Sequence, residues 1–116
     1  MKQVIIDTSV WIEHERKGVS ELIELLSSRR AIIHWAVYGE LSVGQIKNRE
    51  RFLLDLKLLD FCEEVSFEET VNFIAKEKLY GKGLSLIDCT LLASAQKAGA
   101  LIFSLDKKLN TYLERV

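Results

Sequence analysis

The apolar run Val4-Ile5-Ile6 meets an acid at Asp7, and that junction constrains the fold more than any other feature of the chain. Three consecutive branched residues without polar interruption read as a strand buried on both faces, as in a parallel sheet covered by helices. The same cadence of short apolar run and helical pattern recurs to the C-terminus. Lys2 to Ile6 is the first strand, and Val10 to about His14 a short helix. Val19, Leu22, Ile23 and Leu26 repeat at helical spacing, so Val19 to Ser27 is a second helix. Ala31 to His34 is a second strand. Helices follow over Ala36 to about Ile46 and over Glu50 to Leu59. Phe61 to Val65 reads as a third strand. Ser66-Phe67-Glu68-Glu69 is a capping box that opens a helix to about Leu79. After the loop Tyr80-Gly81-Lys82-Gly83, a helix runs from Ser85 to Lys97 and stops at Gly99. Leu101 to Phe103 is a fourth strand, and a last helix covers Lys107 to about Glu114.

Strands separated by helices imply right-handed crossovers. The expected fold is a three-layer α/β/α arrangement with a central parallel sheet of four or five strands. A chain of 116 residues with neither proline nor repeats makes one domain, residues 1–116. Hydrophobic residues make up 48% and charged residues 28%, the profile of a soluble domain, and no apolar run is long enough to span a bilayer. The first acid comes too early for a signal peptide, so a cytoplasmic location is expected, with no membrane partner. Cys62 and Cys89 form no CxxC pair and read as buried thiols. A net charge of −1 neither supports nor excludes a nucleic-acid substrate. Any attraction to phosphate must come from local clusters: Arg29-Arg30, Lys47 with Arg49 and Arg51, or Lys107-Lys108. Taken alone, each reads first as solvated surface.

In doubly wound sheets, ligands bind beyond the carboxyl ends of the strands, where strand order reverses. Polar residues capable of chemistry are expected there. Asp7 follows the first strand directly, and Asp106 follows the fourth after Ser104 and Leu105. Either can also cap the helix that follows it. Asp88 shares a helix face with Leu91, Leu92 and Ala95, where a carboxylate is expensive unless paired or bound to a cation. Ser85-Leu86-Ile87-Asp88 also fits a capping box, and the two roles can coexist. Glu40 has Ala36, Val37, Val43 and Gly44 on its face, neighbours small enough to hold an acid inward. Its bland alternative is an exposed edge. Four acids at one end of one sheet repel unless a cation intervenes. All-oxygen ligands suit hard ions such as Mg²⁺ or Mn²⁺.

The residues around these acids form a recognisable set. Ile5-Ile6-Asp7-Thr8-Ser9-Val10-Trp11-Ile12 resembles the opening of PIN-domain proteins. Tyr38-Gly39-Glu40-Leu41 is similar to their second acidic motif, and Gly83-Leu84-Ser85-Leu86-Ile87-Asp88 with Leu91-Leu92-Ala93-Ser94-Ala95 to their third. Ile102-Phe103-Ser104-Leu105-Asp106 resembles their fourth. Each motif is weak alone, but four in order across nearly the whole chain are specific. The resemblance implies a parallel sheet flanked by helices and an Mg²⁺- or Mn²⁺-dependent endoribonuclease. It implies that Asp7, Glu40, Asp88 and Asp106 form the metal site, with Ser9 and Ser104 orienting carboxylates or waters. So short a chain resembles the VapC toxins, which are usually homodimers held inactive by a VapB antitoxin and cut structured RNA. One departure is that many relatives add a final edge strand, for which little sequence remains after the last helix.

The implied reaction is in-line attack of water on an RNA phosphodiester, with the 3′ oxygen leaving. Consistent with this, His14 and His34 are not placed as a pair for cleavage through the 2′-hydroxyl. His34, at the end of strand two, reads first as structural. Trp11 and Trp35 follow strand ends and read as core, although either can stack on a base. Phe52 to Leu59 is more apolar than one buried face needs and reads as a well-buried helix or as a partner or dimer surface. A phospho-acceptor receiver domain is a rival of similar length. However, Thr8 stands where it needs a second acid, Asp60 precedes strand three, and Ser104 follows strand four where it needs lysine. A PIN-like module that only binds protein or RNA is the other rival, and such a module need not keep all four acids.

Overall fold

The computed structural model describes residues 1–113. Its elements in order are β1 (Val4–Ile6), α1 (Thr8–Lys17), α2 (Ser20–Ser27), β2 (Ala31–Ile32), α3 (Trp35–Val43), α4 (Arg49–Leu56), α5 (Phe67–Glu77), α6 (Leu86–Ala98), β3 (Leu101–Phe103) and α7 (Lys107–Leu113). The expected helix end at Glu114 lies outside the described residues.

All strand pairs are parallel, in the order β2-β1-β3. The central strand is the run that opens the sequence: Ile5 and Ile6 are wholly buried, as continuous apolar character on both faces requires. Around it Val10, Leu22, Ile33, Val37, Leu41 and Leu91 close a core supplied by α1, α2, α3 and α6. A second cluster, Leu79, Cys89, Leu92 and Leu109, lies under α5, α6 and α7. Register pairs Ile6 with Phe103, and the ladder extends one step further, Asp7 N–H donating to Phe103 O at 2.9 Å.

The sheet has three strands among the described residues, where four or five were expected. The segment Phe61–Val65 does not form a strand. It meets the sheet's edge at an isolated bridge, where Cys62 N–H donates to Ile33 O at 2.7 Å, and just before it Ile33 N–H donates to Asp60 O at 3.0 Å. Adjacent Glu63 and Glu64, both exposed, explain why it peels away: a strand continued there would turn one of them inward. Helix lengths also differ from expectation, and α4 ends at Leu56 where Leu59 was expected. The first starts immediately after Asp7 and runs on to Lys17, and the third ends at Val43 because Gly44 takes an extended conformation. No helix among the described residues is long and apolar enough to cross a membrane.

Candidate metal and phosphate site

Because β1 ends where its neighbour β3 ends, Asp7 and Ser104 face each other. Asp7 occupies the N-cap position of α1, yet its side chain makes no capping hydrogen bond. The residue is 6% exposed, and its carboxylate turns toward β3. Oδ2 accepts from Ser9 Oγ at 2.8 Å and from Ser104 Oγ at 2.7 Å. Each serine has a single O–H proton, and both go to this oxygen, so the 3.4 Å contact between the two hydroxyls holds no proton of its own. The same hydroxyls accept backbone N–H groups, Ser9 from Leu105 at 3.0 Å and Ser104 from Asp106 at 2.9 Å. One buried carboxylate oxygen is thus tied to the start of α1 and to the segment that carries Asp106.

Glu40 is half-buried on α3, and its Oε1 accepts from Thr8 Oγ1 at 2.6 Å. The inward face expected around it is incomplete: Val37 is buried but Val43 is 87% exposed. A hydrogen bond, more than packing, holds Glu40 at the site. Asp88 is half-buried and completes the capping box of α6, accepting from Ser85 N–H at 3.0 Å through Oδ2. Asp106 is exposed and caps α7, its Oδ1 accepting from Leu109 N–H at 3.0 Å.

These four acids line one open concavity of about 560 Å³ together with Thr8, Ser9, Ile12, Gly83, Ser85, Lys107 and Lys108. Ser104 stands behind it, 4% exposed. In each acid one oxygen is committed to the protein. Among the described residues no hydrogen bond reaches Asp7 Oδ1, Glu40 Oε2, Asp88 Oδ1 or Asp106 Oδ2. None of the four enters an ion pair there either, although Lys107 and Lys108 stand at the same rim. Hard, uncommitted carboxylate oxygens are the donor set a divalent cation such as Mg²⁺ uses. No three His, Cys, Asp or Glu side chains among the described residues already converge as a closed cluster. An ion held by one or two carboxylates that keeps several waters does not require one.

Thr8 and Asn110 were not singled out in the sequence. Thr8 anchors Glu40, and Asn110 Nδ2 donates to Ser104 O at 2.7 Å, steadying the strand end. The only available signal was position: Thr8 lies between two residues already chosen, and Asn110 is one helical turn past Asp106.

Both histidines are engaged elsewhere. His34 caps α3, its Nδ1 accepting from Ala36 N–H at 2.9 Å, and Nε2 lies 2.8 Å from Ser94 Oγ. Since Nδ1 accepts, the proton of the neutral ring sits on Nε2 and points at Ser94. Burial lowers the pKa of His34, and nearby Glu64 only partly opposes this. His14 Nδ1 accepts from Val19 N–H at 2.9 Å. Cys62 and Cys89 are buried free thiols whose pKa values burial raises, with smaller contributions from Glu63 and Asp88 respectively.

Two apolar expectations change. Trp11 is core, but Trp35 is 44% exposed, lying on Phe61 at 4.3 Å and edge-on to Tyr38. The Leu-rich stretch is only half buried: Leu53 and Leu56 are inside, whereas Leu54 is 64% and Leu58 85% exposed. Of the basic clusters, Arg29-Arg30 precedes β2 at the strand's amino end, away from the acids.

A parallel sheet with acids beyond its carboxyl edge defines a class, and sequence comparison agrees with it. The family model of the PIN domain matches residues 4–113. The chain belongs to the PIN domain family. It is 38% identical over 107 residues to "Ribonuclease VapC32" of Mycobacterium tuberculosis, in both strain CDC 1551 / Oshkosh and strain H37Rv, across 91% of this chain and 86% of that protein. That similarity places it with the VapC type within the family, and the receiver-domain alternative falls. The crystal structure of PAE2754 from Pyrobaculum aerophilum superimposes with a TM-score of 0.62 over 98% of this chain and 88% of the other. At 15% identity that likeness bears on the fold alone.

Proposed function

We propose that the chain is a divalent-metal-dependent endoribonuclease that hydrolyses RNA phosphodiester bonds and acts as the toxin of a type II toxin–antitoxin pair. The observation that carries this reading is the shared concavity: four acids from four separate segments, each with an oxygen uncommitted among the described residues. The similarity to a protein named a ribonuclease supplies the substrate class.

Asp7, Glu40, Asp88 and Asp106 would hold Mg²⁺ or Mn²⁺ through their uncommitted oxygens, directly or through water. When bound, such an ion supplies the Lewis acidity that activates water and stabilises charge on the phosphoryl oxygens. The chain's own residues do the positioning. Ser9 and Ser104 fix Asp7, Thr8 fixes Glu40, and the caps of α6 and α7 fix Asp88 and Asp106. Lys107 and Lys108 bring positive charge to the rim, where the substrate phosphate arrives. Water, attacking in line with the departing 3′ oxygen, is the nucleophile. Cleavage through the 2′-hydroxyl needs an acid–base pair, and both histidines have their Nδ1 engaged by backbone N–H groups.

The partners of this reading are RNA, a VapB-like antitoxin and a second copy of the chain in a homodimer. An RNA substrate sets its action in the cytoplasm. A small adjacent reading frame encoding a DNA-binding start and an amphipathic end would supply the antitoxin. The direct test is RNA cleavage by purified wild type and Asp7→Asn in Mg²⁺ or Mn²⁺, with folding checked by circular dichroism. Cleavage should vanish in the folded variant. Equal activity in both would assign the cleavage to a contaminant and remove the proposal.

A further inference from the structure

Two smaller concavities flank the acidic one, and they differ in charge. On the α3 side lies an apolar groove with two acids and two cations, Glu15, Glu40, Arg16 and Lys47, over Ile12 and Leu41. On the α7 side lies a pocket of about 260 Å³ lined by Lys82, Leu84, Lys108, Thr111 and Tyr112, which has two cations and no acid. Lys108 belongs to both this pocket and the acidic concavity and forms the wall between them.

Lys108 lies against the loop before α6. Gly83 has φ +78°, and a side chain there would meet Lys108 Cδ at 3.4 Å and Nζ at 3.5 Å. The lysine therefore lies across the loop at ordinary contact distance. Lys82, next to that glycine, holds its ammonium 5.7 Å from the centroid of the Tyr112 ring. Neither lysine forms an ion pair among the described residues, although Asp88 and Asp106 line the adjoining concavity. Two cations beside an apolar floor of Leu84 and Tyr112 match one nucleotide unit, with the phosphate on the ammonium groups and the base on the floor.

We propose that the Lys82–Lys108 pocket binds the nucleotide next to the scissile phosphate and so sets the path of the RNA strand away from the acids. This rests on the ribonuclease reading above. The α3-side groove offers no such path, since its acids cancel its cations.

The test uses the full chain carrying Asp7→Asn, which holds RNA without cutting it, and a fluorescein-labelled single-stranded 12-mer RNA. Affinity is measured by anisotropy over a range of salt. Adding Lys82→Gln and Lys108→Gln should lower the slope of log affinity against log salt by about 0.7 and weaken binding about fivefold at 0.1 M salt, the loss of one phosphate contact. A charge-matched pair, Lys2→Gln with Lys97→Gln, lies toward the amino ends of the strands and should leave the slope unchanged. In the active chain the Lys82/Lys108 pair should raise KM and leave kcat nearly intact. If wild type cleaves RNA while both double variants share one slope, the pocket proposal is wrong and the nuclease reading stands. If wild type neither cleaves nor binds RNA, both fall.

Discussion

Asp7 forgoes the usual fate of an aspartate before a helix. An N-cap hydrogen bond is worth about 1 kcal/mol, yet its carboxylate instead takes two serine hydroxyls from opposite ends of the chain. That choice keeps one oxygen committed and leaves the other uncommitted among the described residues. Thr8 does the same for Glu40 with a single 2.6 Å bond. Because Glu40 is only half-buried, that bond does more for the position of the carboxylate than for stability. Thr8→Val should therefore lower kcat/KM for RNA about tenfold, equivalent to roughly 1.4 kcal/mol of transition-state positioning. Thr8→Ser, which keeps the hydroxyl, should restore most of the loss. Steady-state cleavage assays on the two variants check this, and equal rates in wild type and Thr8→Val would release Thr8 from the site.

Two helices begin with the same device and serve different ends. Ser66 and Glu69 box the start of α5, and Ser85 and Asp88 box the start of α6. Removing either serine should cost about 1 kcal/mol in urea unfolding. Ser66→Ala should leave RNA cleavage unchanged, whereas Ser85→Ala should reduce it because Asp88 loses its tether. A second contrast comes from His34, which caps α3 and reaches α6 through Ser94. Burial lowers its folded pKa below the ordinary 6.5. Between those two values the unfolded chain holds a proton that the folded chain does not, so stability rises with pH across that window. The contribution is complete above about pH 6.5 and is lost as pH falls below it. Thermal or urea unfolding at pH 7.5 and 5.5 should show a larger loss for wild type than for His34→Asn, which keeps a capping oxygen but does not titrate.

At the scale of the molecule, the legible part of the sequence was the part where local pattern and burial coincide. Val4-Ile5-Ile6 announced a buried strand, and Gly99 the end of α6. The doubly wound rule pointed to acids just after the strands, such as Asp7 and Asp106, but that β1 and β3 are neighbours is seen only in the structure. Tertiary choices were not legible. Whether Phe61–Val65 joins the sheet depends on where Glu63 and Glu64 face, and apolar count alone cannot place Trp35 or Leu58. Thr8 and Asn110 act through hydrogen bonds across 32 residues and back to a strand end, which no local spacing encodes. What unites these details is the proposal that this mouth of acids keeps its uncommitted oxygens for a divalent ion. Titrating Mn²⁺ into metal-free protein and following the free-ion signal by electron paramagnetic resonance tests that claim without reference to cleavage. Wild type should remove Mn²⁺ from solution, and folded Asp7→Asn should bind it at least tenfold more weakly. Identical uptake by the two proteins, or none by wild type, would contradict the account.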